Sequence, residues 1–94
     1  MDVNQLNAHL GGKAFYVMTG FRQELIGNNY VQFKTTKNNL NASKMIIRLV
    51  NDEYVIEFGK IRKMEYKVVK TIEGIQAENL KEVFERETGL YTTM

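Results

Sequence analysis

The sequence predicts an α+β fold: a four- to five-stranded antiparallel meander with a C-terminal helix packed on one face and a short N-terminal helix. Three observations predict it. Runs of alternating apolar and polar residues between positions 30 and 72 are separated by short links rich in Gly, Asn and Asp, the pattern of neighbouring antiparallel strands. Residues 76–88 instead carry apolar side chains at helical spacing. The 94 residues, 44% hydrophobic and 26% charged, suit one globular domain spanning 1–94.

The first element is a helix over about residues 2–10. Asp2 is placed to cap it, with Gln5 three residues on as in a capping box. Val3, Leu6 and Leu10 fall on one face, and Gly11-Gly12 supplies a left-handed stop. Residues 13–19 alternate aromatic and aliphatic side chains between glycines and read as a strand. Residues 21–26 read as a weaker strand. Gly27-Asn28-Asn29 is turn chemistry, followed by a strand over 30–35 with Val31, Phe33 and Thr35 on one side.

The segment TKNNLNAS, 36–43, reads as a loop anchored by Leu40. Runs 44–50 and 53–58 flank Asn51-Asp52 and read as a tight hairpin. Tyr54, Ile56 and Phe58 share one face of its second strand. Its first strand is apolar on both faces, which places it centrally in the sheet. The glycine at 59 predicts a turn over 59–62, followed by a long strand over 63–72. On that strand Met64, Tyr66, Val68 and Ile72 point one way, and Lys63, Glu65, Lys67 and Thr71 the other. The last helix buries Leu80, Val83, Phe84 and Ala77. Lys81 with Glu85 and Glu82 with Arg86 stand as i,i+4 pairs on its wet side, and Gly89 caps it.

Composition excludes several chemistries. The chain has no cysteine, so disulfides, thiolate metal sites and a cysteine nucleophile are ruled out. That absence favours a reducing compartment, and the expected location is the cytoplasm. No apolar run approaches the roughly 20 residues a membrane helix needs, and the first residues lack the layout of a secretory leader. His9 is the only histidine and Ser43 the only serine. One His without Cys does not make a zinc site, and Ser43 has no nucleophile elbow around it. Glu53, Glu57 and Glu65 are carboxylates of the kind found on solvated sheet faces. Gly11-Gly12 leads into a predicted strand, the wrong order for a phosphate cradle. No catalytic, cofactor-binding or metal-binding constellation is expected.

Two constellations remain. Net charge is only +2, but residues 31–70 hold nine bases against four acids, and residues 71–94 two bases against five acids. Lys60, Arg62, Lys63, Lys67 and Lys70 cluster, and Lys34 and Arg48 join from other strands if the register allows. With Tyr66 as a stacking ring, Lys34, Arg48, Lys63 and Lys67 form a candidate surface for nucleic acid, single-stranded by preference. A solvated face whose lysines guard against edge aggregation has the same composition. The second constellation is an apolar surplus. Five Phe and five Tyr are many rings for a sheet covered on one face. Phe15, Val17, Val55 or Val69, if left on the uncovered face, call for a partner. The leading expectation is a non-catalytic interaction module binding a protein partner or itself, as a homodimer, through its sheet. The alternative is the nucleic-acid-binding protein.

Overall fold

A computed structural model describes residues 2–92. In chain order it has helix α1 (Val3–Leu10), helix α2 (Lys13–Thr19), strands β1 (Arg22–Ile26), β2 (Tyr30–Lys34), β3 (Lys44–Val50), β4 (Glu53–Arg62) and β5 (Glu65–Ile75), a 3-10 turn (Ala77–Asn79) and helix α3 (Leu80–Thr88). The strands form one antiparallel sheet in the order β1-β2-β3-β4-β5. The α+β meander with its C-terminal helix is therefore as the sequence predicts, and β3 is the central strand.

All three helices lie on the same face of the sheet. Leu6 and Leu10 of α1, Phe15 of α2, and Leu80, Val83 and Phe84 of α3 share one core with Val31, Phe33, Met45, Ile47, Ile56 and Phe58. Phe15 is the hub. Its ring stands edge-to-face with Phe84 at 5.0 Å, Phe21 at 5.8 Å and Phe33 at 6.0 Å, the geometry that ring quadrupoles favour. The Asp2 carboxylate accepts from the Gln5 backbone N–H at 3.1 Å, so the cap forms as the sequence implies.

Residues 13–19 are the first correction. They form α2, not a strand. Their β-branched and aromatic content favours a strand locally, but Phe15 and Thr19 are both buried and stand at i, i+4. That spacing drops both onto the core from one helical face, and tertiary burial overrides propensity. Gly20, at φ 75°, ends the helix in a left-handed turn. Phe15 consequently lies in the core and is lost to any uncovered face.

The second correction concerns Gly59. It does not turn the chain: β4 runs on to Arg62, and the reversal falls at Lys63-Met64, with φ 52° and 66°. Gly59 serves another purpose. A Cβ there would stand 2.2 Å from the Tyr66 ring, so the missing side chain makes room for a ring lying across the backbone. The Asn51-Asp52 turn, also with two positive φ values, is where the sequence puts it.

Two irregularities in the β4–β5 pairing, at Phe58/Gly59 and Tyr54/Ile56, reset the alternation along β5. Tyr66 and Val68 stand opposite Ile61 and Gly59, whereas Ile72 stands opposite the core residue Ile56. Tyr66 and Ile72 therefore face opposite ways, contrary to simple alternation. An extra residue in one strand is all that such a reversal takes. The pairs expected along α3 are also replaced. Glu85 instead accepts from the Thr92 backbone N–H at 2.8 Å, and Glu87 accepts from Lys70 on β5 at 2.7 Å.

The 36–43 loop is organised by Asn38, which is buried. Its amide oxygen accepts from the N–H groups of Leu40 and Ala42, and its amide nitrogen donates to the carbonyls of Thr36 and Ala42. Four bonds from one side chain replace the ladder bonds that this stretch lacks.

Candidate interaction surface

With every helix on one side, the opposite face of the sheet is uncovered. Cross-strand register fixes its membership. Partners across an antiparallel pair share a face, so Tyr30, Arg48 and Val55 make one row, and Gln32, Ile46, Glu57 and Thr71 the next. Arg22, Lys34, Lys44, Gly59 and Val68 follow, then Ile61 beside Tyr66. Of the residues expected to demand cover, Val55 falls on this face and is half-buried by its neighbours. Val17 is exposed on α2, and Val69 on β5.

Two pairs of charges on this face close on one another, while Arg22 and Lys34 have no ion pair among the described residues. Arg48 Nη1 donates to Glu57 Oε1 at 3.0 Å, and the Tyr66 hydroxyl donates to the other Glu57 oxygen at 2.7 Å. Burial, then the bond to Glu57 and its negative charge, push the Tyr66 phenol far above its ordinary range, so it stays protonated and donating. Lys44 is ion-paired with Glu24, which also accepts from Gln32. The bond from Lys44 is the main cause holding the Glu24 carboxyl below the usual range.

The five residues expected to bind nucleic acid do not converge. Lys34 and Arg48 lie on the uncovered face, but Arg48 is held by Glu57. Tyr66 is on that face too, 41% exposed, with its hydroxyl aimed at a carboxylate that repels phosphate. Lys67 stands opposite Lys60 on the other face of the β4–β5 hairpin, and Lys63 is in the hairpin turn. A basic, ring-bearing sheet face is therefore not formed. Sequence reasoning missed Glu57 as the hub, although the signal was present. The Asn51-Asp52 hairpin sets Ile46 opposite Glu57 and Arg48 opposite Val55, which makes Arg48 and Glu57 diagonal neighbours.

Elsewhere, among the described residues, no buried side-chain polar atom lacks a hydrogen-bond partner. His9 Nδ1 and the Tyr54 hydroxyl are hydrogen-bonded at 2.8 Å. Gln23 donates to the Tyr16 hydroxyl at 2.7 Å, and Tyr16 donates to Asn7, joining β1, α2 and α1. Burial raises the Tyr16 phenol. Among the described residues, no three His, Cys, Asp or Glu side chains are grouped to hold a metal ion, and no helix is long and apolar enough to cross a membrane. No family model, curated protein or solved structure matches the chain.

Proposed function

We propose that this protein is a non-catalytic interaction module that pairs with a second copy of itself through the uncovered face of its sheet. The observation that carries this reading is the neutralisation of the middle of that face from within, Arg22 and Lys34 at its β1–β2 corner being without an ion pair among the described residues. Arg48 and Lys44 are tied to Glu57 and Glu24, Ile46 and Val55 stand beside them, and Ile61, Tyr66 and Val68 continue the face toward the β4–β5 turn.

A two-fold contact sets a surface against itself, so the surface must be self-complementary. Internally paired charges meet that condition, because like charges need not confront each other across the interface. Ile46 and Val55, at the middle of the sheet on its central strands, would meet their own copies near the axis. Burying them there removes apolar area from water without stranding a charge.

The test is sedimentation equilibrium from low micromolar to high micromolar protein. A mass that rises toward the dimer with concentration is expected. Val55→Glu, which sets a carboxylate at the centre of the face, should leave a monomer with an unchanged circular dichroism spectrum. A wild-type protein that stays monomeric throughout refutes the reading, as does a Val55→Glu protein that dimerises equally well.

A further inference from the structure

Beyond the core, β4 and β5 continue as a free two-stranded arm. Every residue from 61 to 68 is exposed, and among the described residues no other strand pairs with β5. The arm carries Lys60, Arg62, Lys63 and Lys67 against one acid, Glu65. Among the described residues, none of these four cations has an ion pair, in contrast to Arg48 and Lys44 on the sheet. Lys60 and Lys67 stand opposite each other, as do Arg62 and Glu65, so three of the four cations share one side of the arm. Lys60 also lines a hollow at the root of the arm with Lys34, Lys37, Lys44, Asn38 and Ser43. Lys34 and Lys37 likewise have no ion pair among the described residues. The unpaired cations thus run from the hollow out along the arm.

The tip adds a second observation. Lys63 and Met64 form the turn with φ 52° and 66°, a conformation that Asn-Gly holds without strain. Met64 is 99% exposed. Neither residue is chosen for the turn, and Met64 adds nothing to the core.

We propose that this arm is a binding element for double-stranded DNA, inserting into the major groove with Lys60, Arg62, Lys63 and Lys67 on phosphates and Lys34 and Lys37 at its root. A two-stranded ribbon fits that groove, and four to six cations without an ion pair among the described residues neutralise as many backbone phosphates. Single-stranded nucleic acid fits poorly. It needs rings among the cations, and Tyr66 is on the opposite side of the arm with its hydroxyl on Glu57. Duplex RNA fits poorly because its major groove is too narrow to admit side chains. Ile61, Tyr66 and Val68 of the arm and Lys34 at its root also belong to the uncovered face, so groove insertion leaves only the Ile46 and Val55 end of that face for self-pairing, and the cations of the arm bind DNA in the monomer too.

The experiment is fluorescence polarisation of a labelled DNA duplex, with competition by the matching single strand and by a duplex RNA of the same sequence. Neutralising four to six phosphates predicts that affinity falls roughly 100- to 1,000-fold between about 50 and about 200 mM salt. Arg62→Gln/Lys63→Gln at the exposed tip should weaken binding about tenfold or more and lower the logarithmic salt slope by roughly 2, close to one for each charge removed. Adding Lys60→Gln and Lys67→Gln should take binding close to the background. Lys13→Gln, the same change on α2, should leave binding as it is. Three results each overturn the proposal: no duplex binding at the lower salt, equal binding by the tip variant, or stronger competition by single strand or duplex RNA than by duplex DNA.

Discussion

The contact between Gly59 and Tyr66 makes a prediction whose sign depends on genetic background. A methyl group at position 59 would stand 2.2 Å from Tyr66 Cζ and Oη, against the 3.4 Å at which ordinary contact begins. The ring must therefore move by more than 1 Å. Tyr66 is at the surface and can swing away, but it then leaves Glu57. Loss of a hydrogen bond to a carboxylate at a half-exposed site costs about 1 kcal/mol. Uncovering roughly 40 Å2 of ring and strand costs about 1 kcal/mol more. Against this, alanine is easier to order in a strand than glycine by about 0.5–1 kcal/mol.

Gly59→Ala should accordingly destabilise the protein by about 1–1.5 kcal/mol, the first two terms less the third. In a Tyr66→Ala background the clash is gone, and the same substitution should stabilise by about 0.5–1 kcal/mol. The coupling between the two positions is then about 2 kcal/mol, within the range for residues in contact. Urea unfolding of the four proteins measures it, provided that the denaturant slope is common to all. A Gly59→Ala protein as stable as wild type, or one equally destabilised with and without Tyr66, would refute the account of why glycine is there.

Three further outcomes follow from the packing and the charges. Phe84, fully buried between Phe15 and Phe21, should cost about 3–5 kcal/mol on Phe84→Ala; urea unfolding should show the loss of much of the stability of so small a domain. Lys63→Asn/Met64→Gly should stabilise by about 1–2 kcal/mol, because both residues now hold left-handed backbone at a cost that Asn-Gly avoids; the check is a higher Tm, with DNA binding weakened in the same protein. The Glu24–Lys44 pair depresses a carboxyl, so the folded protein binds fewer protons there than the unfolded chain. Its contribution, about 0.2–1 kcal/mol for a surface pair, is complete above the usual glutamate pKa of about 4.3 and is lost as pH falls through the lower folded value. Stability curves of wild type and Glu24→Gln should differ at neutral pH and converge in acid.

The sequence by itself determined the elements whose signals are local. The Asp2 cap, the Asn51-Asp52 hairpin, the centrality of β3 and the apolar stripe of the last helix each rest on a few neighbouring residues. Backbone chemistry and periodicity suffice for such features. What only the tertiary structure decided turned on contacts between residues far apart in the chain. Residues 13–19 look like a strand until Phe15 is given its place among Phe21, Phe33 and Phe84, and only a helix delivers Phe15 and Thr19 to the same side. Gly59 looks like a turn until the Tyr66 ring is laid across it. The charges could be counted from the sequence but not sorted, because a β-bulge reverses the facing of β5 and leaves no trace in composition. Register decided that Arg48 meets Glu57 while Lys60, Arg62, Lys63 and Lys67 have no ion pair among the described residues.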